Sequence, residues 1–238
     1  MTEPYDLCVD AYVHGERFDP SMLPRPTDLL HAPPEELALA WRRQWQPGRE
    51  LRIRFLDGEP ELHDKVRAHA ESWLQHANLG FTFGNYADAE IRVSFAGQGY
   101  WSLVGTDAMR AGRAAPTMQL GGFTSAEDDV QLRRTVLHEF GHAIGCIHEQ
   151  ASPAASIPWD EPKVYDFYRQ WQGWDDTTIY LNVLQRYSAE GTRYSNYDPA
   201  SIMQYPVPAH LTRDGYEVGW NNELSDGDKS FIARMYPA

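Results

Sequence analysis

An α+β fold, built as a mixed sheet with helices packed on it, is what this sequence predicts, and three observations predict it. Leu51-Arg52-Ile53-Arg54-Phe55-Leu56 alternates apolar and basic side chains, the period of a half-buried strand. From Glu61 to Asn78 the residues Leu62, Val66, Ala70, Trp73, Leu74 and Ala77 then fall at helical spacing, with Gly80 as a stop just beyond. Phe81-Thr82-Phe83 and Ile91 to Phe95 return to alternation, so strand, helix, strand and strand follow one another.

The remaining elements are read around this centre. Residues 1–48 are rich in Pro and turn signals, with one short helical candidate from Glu35 to Gln46, and form an N-terminal arm, either pro-segment-like or a packing extension, on a main unit of residues 49–238. Pro116 to Leu120 is a candidate further strand. Thr124-Ser125-Ala126-Glu127-Asp128 announces a helix, because a hydroxyl residue precedes an acid by three and acids crowd the positive end of the helix dipole. That helix is expected over 126–144. Residues 151–200 read as aromatic-rich and irregular, with a helical piece at Tyr165 to Gln170, and a short helix over 226–235 closes the chain.

Composition narrows the class. The chain of 238 residues is 42% hydrophobic and 23% charged, as a single enzyme-sized globular domain would be. Its formal net charge of -13, with 21 basic residues scattered among 34 acidic ones, argues against nucleic acid, whose phosphates demand clustered Lys and Arg. No run approaches the roughly 18 to 20 apolar residues of a membrane span, and MTEPYDLCVDAYV lacks the basic start and apolar run of a secretory signal. The expectation is a monomer without membrane insertion, cytoplasmic as written or exported by a non-classical route. Cys8 and Cys146 are the only cysteines, so at most one bridge can form and the fold must stand on its core.

The chemistry is concentrated in His138-Glu139-Phe140-Gly141-His142-Ala143-Ile144-Gly145-Cys146-Ile147-His148. Histidines four apart on a helix project from one face a turn apart, so His138 and His142 can reach one ion, and zinc favours such nitrogen ligands. Gly145 can adopt the left-handed conformation that ends a helix, after which the chain turns and returns His148 as a third ligand. Three protein ligands leave a position for water, the arrangement of a catalytic zinc site. Glu139, beside the first ligand, is placed to take a proton from that water. Five fixed residues in eleven would arise by chance on the order of once in ten thousand chains of this length. Packing is the simpler reading for Cys8, Cys146 and the tryptophans at 159, 171 and 174, because free cysteine and large aromatics are commonly buried.

The eleven-residue pattern, followed downstream by Tyr197-Asp198-Pro199-Ala200-Ser201-Ile202-Met203-Gln204-Tyr205, resembles the metzincin zinc metallopeptidases and, among them, the astacin family with its Ser-x-Met-His-Tyr turn. His148-Glu149-Gln150, Trp101-Ser102-Leu103-Val104-Gly105 and Leu224-Ser225-Asp226-Gly227-Asp228 sit in astacin-like order, so the resemblance covers about Arg49 to Pro237. It implies a twisted mixed sheet and long helices, with an active-site cleft over the zinc helix. One catalytic Zn2+ is implied on His138, His142 and His148, with Glu139 as general base and Met203 as a hydrophobic floor beneath the ion. Tyr205 is implied as a weak further ligand that swings away to hydrogen-bond the oxyanion, and Pro116 to Gly121 as the edge strand that an extended polypeptide substrate pairs with. The family's cysteine pairs are absent and Gln204 replaces its usual His. Glu149, which in the family faces a matured N-terminus, and Cys8, as a thiolate block on the zinc, are the two places where latency would be built. Two competing readings are a metzincin of a non-astacin branch, in which Tyr205 is no ligand, and a non-catalytic zinc-stabilised binding module.

Overall fold

In the computed structural model, residues 43–187 and 194–238 are described. Cys8 and most of the arm, including the expected helix from Glu35 except its non-helical end at 43–46, lie outside them.

Strand β1 (Glu50–Phe55) forms as its alternation dictates: Leu51 and Ile53 are fully buried on one face while the arginines between them turn outward. It is the hub of a five-stranded sheet of order β2-β1-β3-β5-β4, with β2 (Gly80–Phe83), β3 (Ile91–Ser94), β4 (Tyr100–Ser102) and β5 (Met118–Leu120). The β1–β2, β1–β3 and β3–β5 pairs are parallel, and β4 alone runs antiparallel, with Trp101 opposite Gln119.

One expectation is corrected at this edge. The segment 116–121 carries β5 but is not the edge strand, since β3 flanks it on one side and β4 on the other. Among the described residues the edge is β4, a three-residue strand too short to show alternation and therefore invisible to periodicity.

Helix α1 (Pro60–Ala70) starts on a proline, whose missing N–H costs nothing in the first turn, and tightens into a 3-10 turn over Glu71–Gln75. It packs beside α2 (Asp129–Ala143), where the buried Trp73 indole donates to the Leu137 carbonyl at 3.0 Å. Helix α2 begins later than expected because Asp128, rather than Thr124 or Ser125, is its cap: its carboxylate accepts from Val130 N at 2.7 Å and Gln131 N at 3.3 Å. The main core lies between the sheet, α1 and α2, and extends to Met203 and to Ile232 and Met235 of the last helix. Trp45 belongs to it, with its indole donating to the Ala143 carbonyl at 2.9 Å, so the packed body begins before residue 49.

The segment read as irregular holds more helix than expected. Helix α3 (Glu161–Gln172) ends on left-handed Gly173, and α4 (Asp176–Ile179) runs on into a π-helical turn over Tyr180–Leu184. Val164, Tyr168, Ile179, Val183, Tyr205 and Leu211 form a second, smaller core there. Trp159 and Trp174 pack against it, whereas Trp171 is 41% exposed and is not a core residue. Helix α5 (Asp226–Met235) occupies the expected range, closed at its start by a reciprocal box between Ser225 and Asp228.

Candidate metal centre

Helix α2 carries His138 and His142 on one face, and its end is set by Gly145, which sits at φ +102°, a backbone open to glycine but strained for other residues. The reversal brings His148 back beneath the helix, so that one ring nitrogen from each of the three histidines lies within 4.8 Å of the others. Nε2 of His142 and Nε2 of His148 are 3.1 Å apart. Two nitrogens bound tetrahedrally to one zinc at about 2.0 to 2.1 Å would stand about 3.3 Å apart, so the spacing suits a shared ion.

The outer contacts fix which nitrogen is offered. His138 Nδ1 lies 2.8 Å from the Ile202 carbonyl and His142 Nδ1 lies 2.9 Å from the Cys146 carbonyl. A carbonyl only accepts, so each Nδ1 must carry the proton and each Nε2 keeps its lone pair for a metal. His142 and His148 are almost wholly shielded from solvent, which holds both rings in place. A donor set of three imidazoles, tautomers set by backbone, fits zinc.

Glu139, one residue after His138 and 1% exposed, joins His138 in lining a recess whose other walls are Tyr100, Arg134, Thr135, Ile202, Gln204, Tyr205, Trp220 and Asn221. Arg134 lies flat over the Trp220 ring, 3.6 Å from its centroid. The Tyr205 ring sits 4.4 Å from the His148 ring and 6.2 Å from that of His138, and its backbone N donates to Gln150 Oε1 at 3.2 Å.

Met203 lies under the metal-bearing helix against Gly141, where any side chain would overlap its sulfur. Its segment is tied down by Asp228, which accepts from Ser201 Oγ at 2.6 Å and Ile202 N at 2.8 Å while also accepting from Ser225 N at 2.9 Å. The carboxylate of α5 thus fixes the very residue whose carbonyl orients His138. Burial pushes the Asp228 carboxyl above the usual range, against the pull of these donors.

Glu149 is half-buried, and this desolvation raises it to about 7, with the nearby Asp228 and Asp198 charges adding to the effect; its Oε1 accepts from Asp198 N at 2.8 Å, which opposes it. Cys146 is a buried free thiol pushed far up by burial, so packing is its role, as its apolar surroundings require.

Of the site residues nominated from sequence, His138, His142 and His148 are gathered around one point, Glu139 and Tyr205 line the recess beside them, and Met203 packs under the same helix, whereas Glu149 and Cys146 line a different recess. Arg134, Trp220 and Asn221 were not singled out, and Asp228 appeared only as the end of the family-like run Leu224-Ser225-Asp226-Gly227-Asp228, without the bracing role it has here.

No family model matches the chain, and no curated protein does. Solved structures do. A structure of myroilysin superposes with a TM-score of 0.81 at 39% identity, covering 83% of this chain and 97% of that one. A second, a crystal structure of myroilysin, gives a TM-score of 0.64 at 39% identity, over 82% of this chain and 86% of that one. High choriolytic enzyme 1, a hatching enzyme zinc-protease from the medaka fish Oryzias latipes, shares the fold with a TM-score of 0.56 at 15% identity, over 82% of this chain and 94% of that one. With this identity sustained along nearly the whole of a solved relative, and with a histidine triad gathered for a metal, the chain belongs to the astacin-like branch of the metzincin zinc metallopeptidases.

Proposed function

We propose that this protein is an endopeptidase that hydrolyses peptide bonds of polypeptide substrates in the recess beside His138, with Glu139 as general base. The observation that carries this is the convergence of the three histidine nitrogens, two of them with tautomers fixed by backbone carbonyls, next to a buried carboxylate. His138, His142 and His148 would hold Zn2+, which supplies a polarising charge and lowers the pKa of its water toward about 7.

Glu139 takes the proton from the attacking water and passes it to the leaving amine, work suited to a carboxylate shielded from bulk solvent. Tyr205 donates a hydrogen bond from its phenolic hydroxyl to the developing oxyanion, and Met203 serves as a rigid apolar floor. The catalytic unit takes in residues 49–238 together with the preceding stretch whose Trp45 packs in its core, and the rest of residues 1–48 is an N-terminal extension. The antiparallel edge β4, beside Glu139 through Tyr100, is the strand an extended substrate would pair with.

The test is digestion of a complex peptide mixture, read by mass spectrometry, with the parent protein and Glu139→Ala compared at equal zinc content. Cleavage by the parent alone supports the reading; zinc in both with cleavage by neither points to a latent N-terminal arm or to a non-catalytic zinc-stabilised module, and trimming the arm separates those, since only a latent enzyme then cuts.

A further inference from the structure

A second cavity shares no wall residue with the recess beside Glu139 and is far roomier, at about 190 Å3 against about 30 Å3. One water needs roughly 10 to 15 Å3 of such space, so this cavity has room for a side chain or a small organic acid.

The segments around it are fastened to one another. Asp160 N donates to the Leu211 carbonyl and Arg213 N to the Pro158 carbonyl, each at 2.9 Å, and Trp159 forms a bridge with Thr212. Arg186, just beyond the π-helical turn, donates through Nη1 to the Ala155 carbonyl, and Tyr187 N donates to the Ala151 carbonyl at 2.8 Å. Gln150, another wall residue, is 2% exposed and has both ends of its amide engaged, Nε2 with the Asn182 carbonyl at 3.0 Å and Oε1 with Tyr205 N at 3.2 Å. The cavity is therefore preformed, and a ligand would enter it without first ordering its walls.

Its chemistry is unusual for this chain. Acidic residues outnumber basic ones by 34 to 21, yet Arg186 and Arg213 bring two guanidiniums to one cavity and neither makes an ion pair among the described residues. Asp160 is held by Lys163 at 2.8 Å, and Glu161, which also lines the cavity, is exposed and pairs with neither arginine. Ile157, Trp159 and Leu184 add apolar wall. A guanidinium presents a planar fork of N–H donors that matches a carboxylate in two parallel bonds. The Glu161 charge repels an anion in proportion to the charge it carries, so a single carboxylate suits the cavity better than a phosphate dianion.

From two arginines without carboxylate partners in the wall of one preformed cavity, we infer that this cavity is a binding site for a carboxylate on a short apolar chain. An acidic side chain of a polypeptide and a free small acid both present that group. The site stands whether or not the protein cuts peptides.

The experiment titrates butyrate, butyramide and inorganic phosphate against the zinc-loaded parent, Arg213→Gln and Arg186→Gln, with binding read from the ligand's NMR signals. Butyrate should bind the parent, and each variant should weaken it about tenfold or more, the worth of a hydrogen bond to a charged group. The Arg213 side chain bonds to none of the described residues, so Arg213→Gln should keep the parent's melting temperature and carries the test by itself if Arg186→Gln fails to fold. Acetyl-Ala-Glu-Ala-amide and its Gln counterpart are titrated in the Glu139→Ala background, where neither is cut. Binding of the Glu peptide alone assigns the ligand to a polypeptide side chain, and binding of butyrate without either peptide assigns it to a free acid; both uphold the site. Equal butyrate binding by the parent and both variants, as attachment to zinc would give, overturns it. So does butyramide or phosphate binding as tightly as butyrate, or no binding of any probe.

Discussion

Gly141 and Met203 are in direct contact across the floor of the metal centre: a methyl at Gly141 would overlap the methionine sulfur and stand 3.1 Å from the Trp73 ring. The helix that carries His138 and His142 can approach the Met203 segment only because it has no side chain at that point. Gly141→Ala should therefore destabilise the protein by about 1 to 3 kcal/mol, the usual cost of overpacking, and lower its zinc content. Met203→Leu, which nearly conserves volume, should cost less than about 1.5 kcal/mol and retain zinc. Denaturant unfolding with metal analysis of both variants is the check, and an unperturbed Gly141→Ala would contradict the packing described.

Asp228 ties helix α5 to the carbonyl that orients His138. Replacing it by Ala removes the acceptor for Ser201 Oγ and Ile202 N, which are buried donors, and takes away the reciprocal half of the α5 cap, the bond from Ser225 N. The expected loss is about 2 to 4 kcal/mol from unmade hydrogen bonds and the weakened cap together. Activity should fall in the residual folded fraction as well, since the Ile202 carbonyl would no longer hold His138 at 2.8 Å. Specific activity normalised to folded protein by circular dichroism separates the two effects.

Metal should be part of the fold's stability, because the three histidines are gathered with two of them fully enclosed. Chelation should lower the melting temperature, and added zinc should restore it, by an amount that grows as RT ln(1 + [Zn]/Kd). His142→Ala should melt at one temperature with or without added zinc. A parent protein indifferent to chelator while demonstrably metal-free would argue against a zinc site here.

Cys146 should be silent toward thiol reagents in the native state. It is buried, and burial keeps its proton on. In a Cys8→Ser variant, labelling should appear only as the protein is unfolded, following the denaturation curve; rapid native labelling would mean that the turn between α2 and His148 opens.

Trp45 should behave as a core residue of the catalytic body. Its indole donates to Ala143 O, its backbone N donates to the Tyr236 hydroxyl at 3.2 Å, and it is 4% exposed. Trp45→Ala should cost about 3 to 5 kcal/mol, and a chain starting at residue 49 should be less stable than one starting at 43 by a similar amount. Equal melting temperatures for those two chains would show that the tryptophan contributes nothing.

What the sequence determined by itself were the features that rest on local spacing. Alternation in Leu51 to Phe55 gave a strand because side chains two apart share a face, and His138 with His142 gave a metal-binding face because side chains four apart lie one turn along a helix. The last helix falls where the sequence places it, over 226–235, but the Ser225 and Asp228 box that starts it emerges only in the structure. The tertiary structure alone decided what depends on contacts between distant segments. That β4 rather than β5 is the edge, that Asp228 braces the segment holding His138, and that Glu139, Tyr205 and Trp220 line one recess follow from packing between residues some 20 to 90 positions apart. No periodicity records such neighbours, because burial and hydrogen-bond completion are set by how the whole chain closes on itself rather than by the order of residues along it.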